Sequence, residues 1–231
     1  MNLFYSPHID GDVFTLDEKE SKHAIRVLRL LKGDQVVLID GRGGWYEALI
    51  EDDHPKRCSL RIRSHTPDFQ PLSYHLHLAI SPTKNMDRFE WFLEKATEIG
   101  ISEITPLICH RNERKQVKPE RLERILISAM KQSLKAYKPI LHAAQSLGDF
   151  LGTDREGTKG IAHCLSTERN AISDLSLQSP YTFLVGPEGD FTEKEVQQAL
   201  QADYTPYSLG DSRLRTETAG VYICSAISFL A

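Results

Sequence analysis

The amino-acid sequence predicts an α/β protein in which a small strand-rich domain precedes a larger domain built on a mostly parallel sheet. The chain has 231 residues, of which 40% are hydrophobic, enough for a sizeable core. Short β-branched or aromatic runs separated by glycines characterise the first 68 residues, whereas strand-like and helix-like segments alternate from Tyr74 onward. Such alternation is typical of parallel sheets covered by helices. We therefore expect domains at residues 1–68 and 74–231.

The N-terminal segment begins with one helical pattern and continues with two strands. The stretch "SKHAIRVLRLLKGD" predicts a short helix that ends at Gly33. Its apolar face would carry Ala24, Leu28 and Leu31, and its basic face Lys22, Arg26 and Arg29. The runs "DQVVLID" and "WYEALIE", separated by "GRGG", predict a hairpin, and the proline-containing "HTPDFQPLS" predicts the linker to the next domain.

The larger domain alternates strand and helix patterns to its end. Asn85 is expected to cap a helix that Gly100 ends, and Thr192 with Glu195 forms a capping-box pattern. A long basic helix is expected over "PERLERILISAMKQSLKAY", closed by Pro139. The predicted strands are "HLHLAIS", "ISEITPLI", "KGIAHCLS", "YTFLVG" and "PYSLG".

Composition excludes several classes of protein and leaves nucleic-acid binding open. The apolar runs fall short of the ~18 residues that suggest a membrane span, and the N-terminus lacks a signal-peptide pattern. Four cysteines without a CxxC pair fit reduced thiols in the cytoplasm. The net charge is −4, yet residues 111–138 hold nine Lys or Arg and three Glu. This segment is either a phosphate-binding face or a solvated helix surface.

The candidate ligand-binding and catalytic residues lie in two strand-to-helix junctions. "FLVGPEGDFTEKEV" places Gly186 to Gly189 after a strand, where glycines allow close approach of a ligand to the backbone and free N–H groups begin the helix. "LGDSRLRTETAGVYICSAI" repeats this arrangement, with Thr216 or Thr218 expected to cap the helix. Arg213 and Arg215 there require an anionic partner. We expect the two junctions to form two walls of one pocket.

Other residues carry weaker signals. His75 and His77 lie two apart in a predicted strand and so face one way, but the sequence shows no third ligand, and no metal site is expected. The absence of GxGxxG and GxxxxGK[ST] patterns excludes the common dinucleotide and P-loop sites.

Four motifs in order, "HAIRVLR", "EKATEIGISEITPL", "LVGPEGDF" and "LGDSRLRTETA", resemble those of the ribosomal RNA small subunit methyltransferase E family. The resemblance runs from about Leu3 to the C-terminus. It implies an N-terminal PUA-like β-barrel that grips RNA and a C-terminal SPOUT-type domain with a trefoil knot. It also implies a cytoplasmic homodimer that uses S-adenosylmethionine to methylate N3 of one uridine in 16S rRNA of the small ribosomal subunit.

The resemblance also implies roles for individual residues. Arg215 would stabilise the uridine as its N3 proton leaves, and Glu217 would accept that proton or orient Arg215. The residues implied at the cofactor are Cys164, Leu165, Gly186, Pro187, Glu188, Gly189, Leu209, Gly210, Leu214, Thr218 and Ala219. The residues expected to contact RNA phosphates are Lys22, Arg26, Arg29, Arg111, Arg114, Lys135, Lys138 and Arg213.

The chain departs from the family pattern at two places. In the usual "LGxRILRxETA", Ser212 replaces the first arginine and Arg213 the isoleucine; "QSxR" reads "QSLK", with Lys135 for the arginine. Two alternatives stay open: a non-catalytic RNA-binding assembly factor, and a related knotted methyltransferase that acts on tRNA.

Overall fold

A computed structural model of the protein describes residues 1–165, 168–175 and 178–231. The chain divides into two compact units. The first consists of Met1–Pro71 together with Met130–Lys138, and the second of Leu72–Ala129 together with Pro139–Ala231.

The first unit is built on one five-stranded sheet. Its strands are β1 (Leu3–Tyr5), β2 (Val13–Thr15), β3 (Gln35–Ile39), β4 (Trp45–Asp52) and β5 (Ser59–Thr66). They lie in the order β1-β3-β4-β5-β2, in which β1 and β3 are parallel and the other pairs antiparallel. The predicted hairpin is the pair β3–β4. Phe4, Leu38, Ile50 and Leu60 are fully or almost fully buried in the core of this sheet.

The predicted first helix differs from the observed one. Helix α1 (Glu18–Lys22) is capped by Asp17, whose side chain accepts a hydrogen bond from the backbone of Glu20, and a π-helical turn follows over His23–Val27. Helical structure therefore ends at Val27 rather than near Gly33. Ala24 is buried, but Leu28 and Leu31 are exposed, so the predicted apolar face is wrong beyond Ala24. The wider π turn shifts the helical periodicity on which that face was predicted.

The second unit contains a parallel sheet. Its strands are β6 (Leu76–Ile80), β7 (Glu103–Ile108), β8 (Ile140–Leu141), β9 (Gln145–Ser146), β10 (Thr158–Ala162), β11 (Asn170–Ala171), β12 (Tyr181–Val185) and β13 (Thr205–Ser208). They lie in the order β11-β13-β10-β12-β6-β7-β8, with β9 also paired to β7, and the pairs are parallel. The predicted parallel sheet is thus confirmed.

Helices cover both faces of this sheet. They are α2 (Met86–Ile99), α3 (Pro119–Gln132), α4 (Leu147–Leu151), α5 (Glu193–Gln201) and α6 (Thr216–Leu230). On β6, Leu76, Leu78 and Ile80 join the core beneath α2 and α6, whereas the intervening Ala79 joins the core beneath α4 and α5. This alternation arises because successive strand residues point to opposite faces. The caps predicted at Asn85 and at Thr192 with Glu195 are present.

Helix α3 ends earlier than the sequence pattern predicts. It stops at Gln132, and Leu134 adopts a left-handed conformation with φ of 57°. The helical pattern predicted as far as Tyr137 is therefore wrong over its last turn. Among the helices of the described ranges, none is long and apolar enough to cross a membrane.

Candidate functional site

Three loops meet at the carboxyl edge of the parallel sheet in the second unit. They follow β10, β12 and β13, which are neighbours in the sheet. Together with residues of α2 and α6 they enclose a cavity of about 400 Å³. The lining includes Arg88, Ala162, His163, Cys164, Arg169, Val185, Gly186, Pro187, Glu188, Asp190, Tyr207, Leu209, Gly210, Ser212, Arg213, Leu214, Arg215, Thr216 and Ala219. The two junctions singled out in the sequence therefore form walls of the same cavity.

A hydrogen bond joins those two walls directly. The Oγ1 hydroxyl of Thr216 donates to the carbonyl oxygen of Gly186 at 3.0 Å, and both groups are buried. The predicted capping of α6 by Thr216 or Thr218 is wrong, because Arg215 occupies the cap position and makes no side-chain cap bond. Thr216 is the first helical residue, and its hydroxyl connects α6 to the loop after β12.

Asp190 connects the loop after β12 to the loop after β10. Its Oδ2 accepts a hydrogen bond from the backbone N–H of Cys164 at 2.7 Å, and its Oδ1 accepts from the N–H of Phe191 at 2.8 Å. Beside it, a Cβ added to Gly186 would lie 3.0 Å from the buried ring of Phe191. Glycine thus lets the turn lie directly on this ring, and the carboxylate fixes the neighbouring loop.

The structure brings most of the predicted cofactor residues to this cavity. Eight of them line it, namely Cys164, Gly186, Pro187, Glu188, Leu209, Gly210, Leu214 and Ala219. Among the described residues, Leu165, Gly189 and Thr218 lie outside the lining. Two loop positions have clear structural partners. Glu188 accepts a hydrogen bond from the N–H of Lys84, and the carbonyl of Gly189 accepts one from Arg111.

Arg215 and Glu217, the predicted catalytic pair, lie at the start of α6. Arg215 is exposed and lines the cavity, whereas Glu217 is only 7% exposed. One carboxylate oxygen of Glu217 lies 3.9 Å from Nε of Arg88, and the other is buried with no hydrogen-bond partner among the described residues. The carboxylate also lies in the first turn of α6, where the helix dipole favours negative charge. Its guanidinium partner is Arg88 of α2, a residue that the sequence patterns did not single out.

His163 contributes a buried imidazole to the cavity wall. Its Nδ1 accepts a hydrogen bond from the N–H of Leu165 at 3.2 Å, whereas its Nε2 has no partner among the described residues. Burial lowers the pKa of His163, with Asp190 opposing that shift and Arg169 adding to it. A neutral imidazole whose Nδ1 accepts a hydrogen bond carries its proton on Nε2. The cavity wall thus contains a buried donor for which the described residues offer no acceptor.

The predicted phosphate contacts are distributed over both units. In the first unit, Lys22 forms an exposed ion pair with Glu18, Arg26 and Arg29 are exposed, and burial lowers the pKa of Lys135. Lys138 also belongs to this unit.

In the second unit, Arg213 lines the cavity. Arg111 donates to the carbonyls of Gly189 and Phe191, and Arg114 donates to the carbonyl of Lys84. Both arginines therefore stabilise loops beside the cavity, and their contact with RNA stays a prediction.

Several lining residues were missed by sequence reasoning. Asp190 stands inside the quoted "LVGPEGDF" and His163 inside "KGIAHCLS", so the motifs contained them without indicating their roles. Tyr207, 6% exposed in β13, likewise lies inside the quoted "PYSLG", whereas Arg88 and Arg169 lie outside the quoted motifs. Their places depend on which strands and helices become neighbours, which local patterns do not encode.

Comparison with known proteins places both parts of the chain in one family. A family model described as an RNA methyltransferase domain matches residues 70–228, and one described as an RNA methyltransferase PUA domain matches residues 16–63. A curated relative from Rickettsia conorii, named ribosomal RNA small subunit methyltransferase E, is 32% identical over 210 residues. That match covers 88% of this chain and 84% of the relative.

Solved structures agree with these matches. A probable rRNA methyltransferase from Porphyromonas gingivalis superposes with a TM-score of 0.93 at 40% identity, covering 100% of this chain and 98% of the other. A ribosomal RNA small subunit methyltransferase E from Neisseria gonorrhoeae, bound to S-adenosyl methionine, gives a TM-score of 0.91. It is 28% identical, and the match covers 100% of this chain and 98% of that one.

Proposed function

Because the chain belongs to the ribosomal RNA small subunit methyltransferase E family, we propose that it methylates N3 of a uridine in 16S rRNA with S-adenosylmethionine as donor. The observation that carries this proposal is the single cavity formed by the Gly186 and Leu209 loops, joined by the hydrogen bond from Thr216. A non-catalytic RNA-binding factor has no use for such a cavity.

The cavity fits the proposed cofactor in size and polarity. Its volume of about 400 Å³ is within the range of ~300–1,000 Å³ found for small-molecule sites. Its loops around Gly186 and Gly210 offer backbone hydrogen-bonding groups for an adenine, and Nε2 of His163 is a buried donor with no acceptor among the described residues. When bound, S-adenosylmethionine supplies an electrophilic methyl group on its sulfonium.

The chain's own residues are proposed to position and activate the uridine. Arg215, exposed at the cavity, donates to the O2 or O4 of a uridine and stabilises the negative charge that develops there. Positioning contributes strongly, since holding reactants in the correct geometry supplies ~7–11 kcal/mol. The target base leaves its stack to reach the cavity.

Glu217 is proposed to accept the N3 proton or to order the arginines around it. The carboxylate is buried, faces Arg88 at 3.9 Å and has one oxygen without a partner among the described residues. A proton acceptor needs a lone pair that is not already committed, and this oxygen has one. The contact with Arg88 favours orientation of that guanidinium over orientation of Arg215.

The two regions of the chain are proposed to have separate functions, RNA binding and catalysis. Residues 1–68 act as the RNA-binding PUA-like domain, supported by the match over residues 16–63 and by the exposed Arg26 and Arg29. Residues 74–231 act as the knotted SPOUT catalytic domain, supported by the match over residues 70–228. Both regions carry basic residues that are expected to contact rRNA phosphates, and these residues form part of the proposed rRNA-binding surface.

We also propose that the protein acts as a homodimer in the cytoplasm. Helix α6 presents Tyr222 at 43% exposure and Phe229 at 89%, large apolar side chains that a second copy would cover. The cytoplasm follows from a ribosomal substrate. Buried free cysteines at positions 58, 109 and 224 are consistent with that reducing compartment.

Mass spectrometry of 16S rRNA tests the proposed reaction. Cells that lack the protein are expected to lose one N3-methyluridine, and the wild-type gene is expected to restore it. Glu217→Gln keeps the shape of the side chain and removes its charge, so it is expected to restore the modification poorly. An unchanged 16S rRNA with a missing methyl group in tRNA would favour the tRNA enzyme. Calorimetry that detects no S-adenosylmethionine binding would favour the assembly factor.

A further inference from the structure

A cluster of histidines around one carboxylate lies at the amino ends of the strands of the second unit. His77 is near the start of β6, Glu103 begins β7, and His142 directly follows β8. The catalytic cavity follows the carboxyl ends of the strands, so this cluster is on the opposite edge of the sheet. It borders a separate cavity of about 270 Å³, which His75, Thr105 and Arg155 also line.

The donor atoms of this cluster converge. One oxygen of Glu103, Oε2, lies 2.5 Å from Nε2 of His142 and 3.8 Å from Nδ1 of His77. One ligand atom from each of the three residues lies within 4.8 Å of the others. Tetrahedral zinc with bonds of about 2.0–2.1 Å separates its ligands by about 3.3 Å. The required movements are therefore small side-chain adjustments.

The second ring nitrogen of His77, Nε2, has a hydrogen-bond partner on the neighbouring strand. Its Nε2 lies 2.8 Å from the buried hydroxyl of Thr105, a hydrogen bond that fixes the ring. When Nε2 donates to Thr105, Nδ1 carries a lone pair that faces the carboxylate of Glu103. Two hydrogen-bond acceptors then face each other without a proton between them, and a cation bound by both would remove their repulsion. A hydrogen bond to the second imidazole nitrogen is the usual support of a metal-binding histidine.

From this geometry we infer that His77, Glu103 and His142 form a site for a divalent transition metal of the zinc class. Two imidazoles and one carboxylate favour zinc over magnesium or calcium, which prefer oxygen ligands. The fourth position falls to water or to His75, whose Nε2 lies 2.8 Å from Oε1 of Glu103. Such an ion would tie the amino ends of β6 and β7 to the segment after β8, and its expected effect is on stability.

The positive charge nearest to this site is the guanidinium of Arg155, which other groups hold in place. The guanidinium of Arg155 donates to the carbonyls of Phe150 and Thr153 and lies 3.7 Å from the centroid of the Phe150 ring. Glu156 lines the same cavity and, with Glu103, offsets that charge.

Zinc titration of the untagged full-length protein, stripped with a chelator, tests this inference. Calorimetry is expected to show one Zn²⁺ per chain with a Kd of about 1 µM or tighter, together with a rise in Tm. Cobalt(II) added alone is expected to give the visible absorption of a tetrahedral site. His142→Ala and Glu103→Gln are each expected to weaken zinc binding at least tenfold, with folding checked by circular dichroism.

A matched control is His110→Ala, which removes an exposed histidine of the same unit outside the cluster. It is expected to bind zinc like the wild type. If His142→Ala does not fold, the isosteric Glu103→Gln decides the question. Absence of stoichiometric zinc binding by the wild type, or unchanged binding by the folded cluster variants, overturns the inference.

Discussion

The Oγ1 hydroxyl of Thr216 donates a hydrogen bond to the carbonyl oxygen of Gly186 at 3.0 Å, joining the first residue of α6 to the loop after β12. The bond is between residues thirty positions apart, and both belong to the lining of the cavity. The loop after β12 and the start of α6, two walls of the proposed cofactor site, are therefore joined by a buried side-chain hydrogen bond. Its removal is expected to loosen the site before it affects the rest of the fold.

Thr216→Val keeps the shape of the side chain and removes the hydroxyl. A buried hydrogen bond of this kind contributes about 1 kcal/mol, so S-adenosylmethionine is expected to bind about fivefold more weakly. Isothermal calorimetry measures the change. Ser225→Ala is the control, because it removes an exposed hydroxyl of the same helix that donates to the carbonyl of Val221 within that helix. Equal affinities for wild type and Thr216→Val would show that the contact does not hold the site.

Arg215→Ala is expected to separate catalysis from cofactor binding. The side chain is exposed at the cavity, and the proposed role is stabilisation of charge on the uridine. Loss of one such donor typically lowers kcat by ~10²–10³-fold. Single-turnover methylation of small ribosomal subunits measures this loss, while calorimetry is expected to show S-adenosylmethionine affinity within a few-fold of the wild type.

Two further variants sharpen the assignment of Arg215. Arg215→Lys keeps the charge but not the planar fork, and is expected to recover only part of the activity. Arg61→Ala removes an arginine that pairs with Glu51 in the first unit and serves as the control for loss of positive charge. Full methylation by Arg215→Ala would remove this residue from the mechanism.

The sequence predicted elements and motifs better than it predicted contacts between them. The alternation in β6 and the caps at Asn85 and Thr192 follow from local chemistry, so their patterns were readable. The convergence of the Gly186 and Leu209 loops was predictable because parallel strands end at one edge. In contrast, the partner of Glu217 proved to be Arg88, which comes from a helix far away in the chain. Such pairs depend on packing geometry that no local periodicity contains.

Local irregularities of the backbone account for the predictions of helix extent that failed. A π turn over His23–Val27 changes the residues that share a face, and the left-handed Leu134 follows the end of α3. Neither feature has a distinctive composition in this chain. The histidine cluster was missed for another reason. His75 and His77 form a visible pair in the sequence, but Glu103 and His142 are distant in the chain and approach them only because their strands lie side by side in the sheet.

His163 is expected to make stability depend on pH. Burial lowers its pKa in the folded chain, whereas the unfolded histidine titrates near 6.5. Below about pH 6.5 the unfolded state then binds more protons than the folded state, so stability falls as the pH falls. Asp190 opposes this effect and Arg169 strengthens it.

Denaturant unfolding between pH 5 and 8 measures the dependence. His163→Gln cannot take up the proton, so its stability relative to the wild type is expected to improve as the pH falls below about 6.5. His110→Gln replaces an exposed histidine of the same unit and is the control. A constant difference between wild type and His163→Gln across this range would contradict a buried, neutral His163.

Gly220 lies inside α6 where two opposing effects of a methyl group can be compared. Alanine is about 1 kcal/mol more favourable than glycine within a helix. However, a Cβ at position 220 would lie 2.7 Å from the Phe92 ring and 2.7 Å from Cδ1 of Ile80. Phe92 is fully buried and has little room to move. Overpacking of this kind costs about 1–3 kcal/mol, and with two such close contacts the steric effect is expected to exceed the gain in helix propensity.

Gly220→Ala is therefore expected to lower Tm by a few degrees, since 1 kcal/mol corresponds to about 2–4 °C for a chain of this size. The matched control is Gly148→Ala in α4, where the nearest atom to the added Cβ is Oγ of Ser146 at 3.9 Å. There the propensity gain acts alone, and Tm is expected to stay constant or rise. Differential scanning calorimetry of both variants distinguishes the two effects. A higher Tm for Gly220→Ala than for the wild type would mean that α6 can move away from Phe92, and that its close packing against α2 is not required.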